Sequence, residues 1–510
     1  MNVILVMSDS YRRDNLSCYG PAKVKTPRLD GFSKQAFVFD NAYCGSFPTM
    51  PNRLDQTSGR FCHIDHQWCR LPDDTVTVQQ ILSGDGIVTY LIVDNPHMME
   101  MGFNYARGFN AFEWIRGQET DVWKTSPKNI KLPPGGPQKY RNYNTRLGNY
   151  LRSTAWWRGE EDHFAPRSIQ TACTWLEENQ DQERFFLQIE MFDPHEPWDP
   201  PKHYVDLYDP GYKGIEVTFP HYNLWREFLT EEELNHCRAL YMGEASMVDH
   251  WVGILLDKID ALGLTEDTAV IFVSDHGYLF GEHDIIGKSF LPEEPDGTMW
   301  YEAIPLYDEI RRIPLMIRLP GQTGGQHIRA MVQTPDLMPT IMEMAGLMTT
   351  ESKSGFSAVQ MLQCGMFVKE DWKLDPRQIH GRSMMPLIRG EATKLRDFTV
   401  TSHTLLHHTP LLAKCAIVTE DGWCLHYAGK YGGEDAGQAG AMYLDKLINP
   451  ALSRAPKEPL LFNLREDPKE ANNVLGKNEA LAREIHQRYV RWLVELGIPE
   501  QHLAGRRELL

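Results

Sequence analysis

Apolar residues along this chain fall in short unbroken runs: Val3–Met7, Ile87–Val93, Phe185–Ile189, Ala269–Val273 and Ile313–Ile317. A run of that length, bounded by polar residues, reads as a strand buried on both faces, as in a parallel sheet. The stretches between them carry helical spacing. Ala165–Asn179 places Ile169, Ala172, Cys173 and Leu176 on one face. Glu231–Leu262 is a longer candidate, with Thr230 as N-cap, Glu233 completing a capping box and Gly263 as the stop. Strands alternating with helices predict an α/β fold, a large domain with a mostly parallel central sheet flanked by helices. After residue 380 the pattern changes. Phe398–Ser402, Cys415–Val418, Trp423–Tyr427 and Leu460–Leu464 read as short strands, followed by a helix over Asn478–Leu496. That predicts a catalytic α/β domain over 1–380 and a smaller C-terminal α+β domain over 381–510. Segment 127–160, rich in Pro, Gly, Asn and Arg, reads as a long surface excursion, and 348–380 as a second irregular stretch.

The 510 residues, 42% hydrophobic and 24% charged, are ordinary for a globular protein. The formal net charge of −17 narrows the partners. It repels a nucleic acid backbone, so no nucleic acid partner is expected, and an anionic substrate needs a local positive site. Val3–Met7 is too short for a signal-peptide core, and no stretch approaches the ~20 apolar residues of a membrane helix. A cytoplasmic location with no membrane partner is expected; homo-oligomerisation stays open. The nine cysteines, at 18, 44, 62, 69, 173, 237, 364, 415 and 424, are odd in number and irregularly spaced, which argues for reduced thiols rather than a disulfide framework.

Five segments carry candidate chemistry. Asp9 follows the first strand, and Ser274-Asp275-His276-Gly277 follows the run Ala269–Val273. Each alone reads as a turn. Together, two carboxylates and an imidazole at strand ends form a set suited to a divalent metal. Pro48-Thr49-Met50-Pro51-Asn52-Arg53 places Pro51 in the first turn of a helix and Thr49 at or near its N-cap. A Thr there needs no purpose beyond capping, but a hydroxyl among oriented N–H groups also suits an anionic ester. Arg53, one turn on, can hold an ester oxygen or the nucleophile. Asp193-Pro194-His195-Glu196-Pro197-Trp198 follows another strand run, its prolines fixing where His195 points. Lys288 stands twelve residues past His276.

These segments, in this order, resemble the sulfatase and phosphonate monoester hydrolase branch of the alkaline phosphatase superfamily. The resemblance extends through Leu16-Ser17-Cys18-Tyr19-Gly20, Thr26-Pro27-Arg28-Leu29-Asp30, Leu337-Met338-Pro339-Thr340, and Phe462-Asn463-Leu464 with Asp467-Pro468 near Asn472. It implies an alkaline-phosphatase-like fold and a metal held by Asp9, Asp275, His276 and the nucleophile. Many sulfatases have a second Asp where this chain has Ser10 and Asn where it has His276; this pattern looks more like the phosphonate monoester hydrolases. One His and two Asp slightly favour Mn²⁺ or Zn²⁺, with Ca²⁺ admissible. The family's Gly-Lys-Trp-His segment is replaced by Asp94-Asn95-Pro96-His97, so Asn95 and His97 become substrate-binding candidates. Trp114–Asp121 resembles part of the substrate end in related proteins.

Thr49 is the main departure. Aligned on the family's Cys-x-Pro-x-Arg, it stands where sulfatases carry the Cys or Ser that becomes formylglycine, so formylglycine is not expected here. A hydrated aldehyde can expel sulfate by reverting to the carbonyl; a threonyl ester has to be resolved by water at the central atom. The resemblance therefore implies a metal-dependent hydrolase of phosphate or phosphonate esters, mono- or diester. Thr49 is its nucleophile, Arg53, His195 and Lys288 hold the small anionic ester, and His195 or Lys288 protonates the leaving oxygen. A sulfuric ester hydrolase without the usual precursor residue and a non-catalytic anion-binding relative are the alternatives.

Overall fold

The computed structural model describes residues 1–99, 102–126, 130–293, 300–347, 379–406, 414–428 and 453–509. An eight-stranded sheet forms its centre. In chain order the strands are β1 Asn2–Ser8, β2 Phe37–Tyr43, β3 Val88–Val93, β4 Ala111–Trp114, β5 Phe185–Met191, β6 Thr268–Val273, β7 Leu315–Arg318 and β8 Gln326–Gln333. In space they run β8-β2-β7-β6-β1-β5-β3-β4. The five strands from β6 to β4 are mutually parallel. β7 instead runs antiparallel to both of its neighbours. Its apolar run looks the same as the others because burial on both faces shapes composition, and direction does not.

Alternate residues of the central strands feed two cores. Val3, Leu5 and Met7 with Ala269, Ile271 and Val273 face one side; Ile4 and Val6 with Val270 and Phe272 face the other. The second face is covered by helices Phe164–Asn179 and Glu231–Ala261. The longer helix carries the expected capping box, Thr230 Oγ1 accepting from Glu233 N at 3.2 Å and Glu233 Oε2 accepting from Thr230 N at 2.8 Å. Gly263, just past its end, takes the left-handed φ of 71° that a glycine stop requires. The first face receives helices Thr49–Ser58, Val78–Gly84 and Leu337–Met344.

A separate four-stranded antiparallel sheet follows, formed by Phe398–Ser402, Lys414–Thr419, Trp423–Ala428 and Leu460–Asn463. Ala416, Val418 and Cys424 join the large core, while Cys415, Ile417, Leu425 and Leu461 pack under helix Glu479–Glu495. Met384, Met385, Leu387 and Ile388, just past residue 380, pack with the large core. Of the irregular stretch 348–380, residues 348–378, including Cys364, lie outside the described residues. Segment 127–160 is more than a surface excursion: it forms helix Arg146–Thr154 and buries Tyr140, Arg141, Leu147 and Tyr150. No helix among the described residues is long and apolar enough to cross a membrane.

Candidate active site

Parallel strands end together, so loops leaving β1, β3, β5 and β6 share one edge of the sheet, where ligands bind in open α/β folds. Asp9 follows β1 and Asp275-His276 follow β6, with β1 and β6 adjacent. Ser10, between Asp9 and the next turn, has φ 58°, a left-handed conformation that tilts the chain off the strand. One donor atom each from Asp9, Asp275 and His276 lie within 4.8 Å of one another, and all three residues are fully buried.

Helix Thr49–Ser58 closes the site. Thr49 is its first helical residue, after Pro48 at the N-cap, so its hydroxyl does not stand in the capping position. Thr49 Oγ1 instead lies 3.3 Å from His276 Nε2. His276 Nδ1 is 3.0 Å from the carbonyl of Gly277, so Nδ1 carries the proton and the Nε2 lone pair faces Thr49. Arg53 sits one turn further. Its Nε donates to Glu190 at 2.8 Å, Nη1 to Asp275 at 2.6 Å and Nη2 to Asp9 at 3.2 Å. Each nitrogen therefore holds a carboxylate, which makes Arg53 the clamp on the acidic residues. Glu190 had no part in the sequence reading; a Glu inside the buried run of β5 is the signal that marks it.

Charge balance favours a cation here. Burial, with Asp275 beside it, pushes the Asp9 carboxyl well above its usual range. Burial works against Asp275 too, but His276, Arg53 and Lys288 outweigh it and keep that carboxylate ionised. Burial pushes His276 down to about 3, leaving it neutral. A neutral imidazole and two converging carboxylates suit a divalent ion, so Asp9, Asp275 and His276, with the Thr49 hydroxyl, fit the group. A second donor set, Cys424, His426 and Glu470, is equally compact. There Glu470 already accepts from Arg311 at 2.7 Å and pairs with His426 at 2.8 Å, a neutralised joint between sheet and large domain.

Lys288 Nζ reaches into the same space, 3.4 Å from His276 Nε2 and 3.5 Å from Ser10 Oγ. His195 Nδ1 is 2.7 Å from the Glu196 carbonyl, and its ring stacks on Phe192 at 4.0 Å. Burial, then Lys288, lowers its pKa well below the usual imidazole range. Asn95 and His97 follow β3. Asn95 Oδ1 accepts from His97 N at 3.0 Å, while its buried Nδ2 has no hydrogen-bond partner. His97 also contacts Phe192, edge-on with ring centroids 5.7 Å apart, and pairs with Glu119 at 3.0 Å. The expected residues thus form an inner group of Asp9, Thr49, Arg53, Asp275, His276 and Lys288. His195 and the Asn95–His97 pair form an outer group around Phe192.

The family model Sulfatase matches residues 1–347. An ulvan-active sulfatase of Formosa agariphila is 26% identical over 372 residues, which is 71% of this chain and 65% of that protein. Arylsulfatase K of Xenopus laevis is 23% identical, the match covering 96% of this chain and 81% of that protein. The phosphonate monoester hydrolase of Agrobacterium radiobacter superposes with a TM-score of 0.66 at 19% identity, covering 98% of this chain and 96% of that one.

Proposed function

The chain belongs to the sulfatase family of ester hydrolases, and from that premise we propose that it hydrolyses phosphate or phosphonate esters with Thr49 as nucleophile. One observation carries the reading. The Thr49 hydroxyl, at a helix start, is not used as a cap and is aimed at His276 beside Asp9 and Asp275. Sulfate esters are the second reading, favoured by the names of the curated relatives.

Asp9, Asp275, His276 and Thr49 are the residues that would hold a divalent metal, with Mn²⁺ or Zn²⁺ slightly favoured. When bound, such an ion lowers the pKa of a coordinated hydroxyl and offsets ester charge. Arg53 keeps the carboxylates in place. Lys288, His195 and the spare Nδ2 of Asn95 donate to the non-bridging oxygens. Thr49 Oγ releases its proton to solvent and attacks in line, forming the Oγ–P bond as the bond to the leaving oxygen breaks. His195 or Lys288 supplies that oxygen with a proton. Burial and Lys288 disfavour the charged form of His195, but an adjacent anion restores its affinity for a proton. Water then attacks phosphorus, the Oγ–P bond breaks and Thr49 regains its proton. Every residue in these roles lies within the proposed catalytic unit, 1–380.

Thr49→Ala is expected to abolish turnover with the far-UV spectrum and melting temperature unchanged; surviving activity overturns the assignment. Rates on aryl phosphonate monoester, phosphate diester and aryl sulfate, measured on one metal-loaded preparation, separate phosphorus from sulfur. Sulfate turnover exceeding both others would reverse the preference.

A further inference from the structure

The outer group of the site is held by a chain of buried charges. His97 Nε2 pairs with Glu119 Oε2 at 3.0 Å, and Glu119 Oε1 lies 3.7 Å from Arg141 Nη2. The same Nη2 donates to Glu196 Oε1, which also accepts from Tyr222 Oη. Glu196 Oε2 lies 3.4 Å from His195 Nδ1. Both carboxylates and the guanidinium are almost wholly shielded from solvent. Burial works against the Glu119 carboxylate, yet His97, Arg141 and Arg146 outweigh it and hold its pKa down at about 2. Arg141 itself is stacked between aromatic rings, its guanidinium carbon 4.0 Å from the Phe219 centroid and 4.2 Å from that of Tyr222. A guanidinium so enclosed has one available orientation.

The two imidazoles at the ends of this chain flank one ring, Phe192, which stacks on His195 and meets His97 edge-on. His97 and His195 come from loops after the neighbouring strands β3 and β5, and beyond their shared contact with Phe192 their polar partners come from elsewhere in the chain. We propose that Arg141 is a positioning residue that joins the Glu119–His97 and Glu196–His195 pairs across the site and so sets where both imidazoles stand, and with them how His195 meets the leaving group. Arg141 arrives on the 130–146 segment, whose backbone is fixed by Arg141 N donating to Phe219 O at 3.2 Å. A buried cation shared by two carboxylates leaves both unbalanced when removed, and each would then pull its histidine out of line. The inference rests on the reading of His195 as a residue serving the leaving oxygen.

Leaving-group dependence tests it. Metal-loaded Arg141→Met, which keeps the stem between the two rings, is compared with Arg141→Lys, His195→Gln and wild type. The probes are aryl phosphonate monoesters whose phenols range from nitrophenol to unsubstituted phenol; aryl sulfates of the same phenols are used if sulfate proves the better class. A poor leaving group needs the proton and a good one does not. Arg141→Met is expected to lose about 100-fold in kcat on the phenyl ester, the scale on which a misplaced catalytic group costs rate. On the nitrophenyl ester it loses under about threefold, with KM little changed. Arg141→Lys falls between, and keeps the test open if the Met variant does not fold. Equal losses across the phenols, or none, with His195→Gln still leaving-group dependent, overturn the role of Arg141 alone. No leaving-group dependence in His195→Gln overturns the reading beneath it and this inference together.

Discussion

Replacing Arg53 by Met removes the cation that Asp9, Asp275 and Glu190 share while keeping most of the stem that fills the space. The side chain is 1% exposed and the three carboxylates are 0% exposed, so water cannot take over its role. Removing one partner of a buried ion pair costs about 3–5 kcal/mol, because the partner left behind is an uncompensated buried charge. Unfolding entropy runs near 2.1 cal/mol/K per residue. For cooperative unfolding of all 510 residues that is on the order of 1 kcal/mol/K, so Tm should fall by about 3–5 °C. A divalent ion carries part of the same load, so the fall should be larger with chelator than with metal. Adding Glu190→Gln removes one of the stranded charges, and the double variant should recover on the order of 1 kcal/mol relative to additivity. Differential scanning calorimetry of the four proteins, with and without chelator, gives all these values. A Tm for Arg53→Met within about 1 °C of wild type in chelator, combined with strict additivity with Glu190→Gln, would refute the claim that Arg53 neutralises this cluster.

Chelation should abolish activity and lower Tm, since an ion at about 100 times its Kd stabilises by about 2.7 kcal/mol. Mn²⁺ or Zn²⁺ should restore both, and in Asp275→Asn the metal-dependent Tm shift should vanish; a shift that persists there places the ion elsewhere. Asp55, near the end of helix Thr49–Ser58, accepts from Ser46 N and Oγ, both at 2.6 Å, and Cys62 N at 2.8 Å. Burial outweighs these bonds and pushes its carboxyl from 3.8 up to about 7. A raised folded-state pKa means the folded state binds the proton more tightly, so stability is full below pH 3.8 and falls as pH climbs to about 7. That loss, on the order of a few kcal/mol, should appear as a Tm slope across this window. Asp55→Asn should flatten the slope, and an unchanged slope would contradict a protonated Asp55 at low pH.

Much of the inner site was legible because parallel strands bring their carboxyl ends to one edge. Once Val3–Met7 and Ala269–Val273 read as buried strands, Asp9 and Asp275-His276 had to lie on the same rim, and they do. The helix of Thr49 was legible from Pro51, and the capping box at Thr230 from residue types alone. Local chemistry set these features, so local sequence carried them. The edge-side strands Phe37–Tyr43 and Gln326–Gln333 were not legible, since their faces are only partly buried and polar residues interrupt the apolar run.

Tertiary structure decided the rest. Only strand order puts Glu190 beside Asp9, and only that neighbourhood turns Arg53 from a candidate anion holder into a clamp on three carboxylates. Arg141 lies in a segment whose composition reads as surface, yet it is buried because Phe219 and Tyr222, Glu119 and Glu196 converge on it from three separate segments. Hydrophobic periodicity records which residues leave water. It does not record which distant charges meet once they have, because that depends on the spatial order of strands and loops, and the pairing energy exists only after the fold has brought them together.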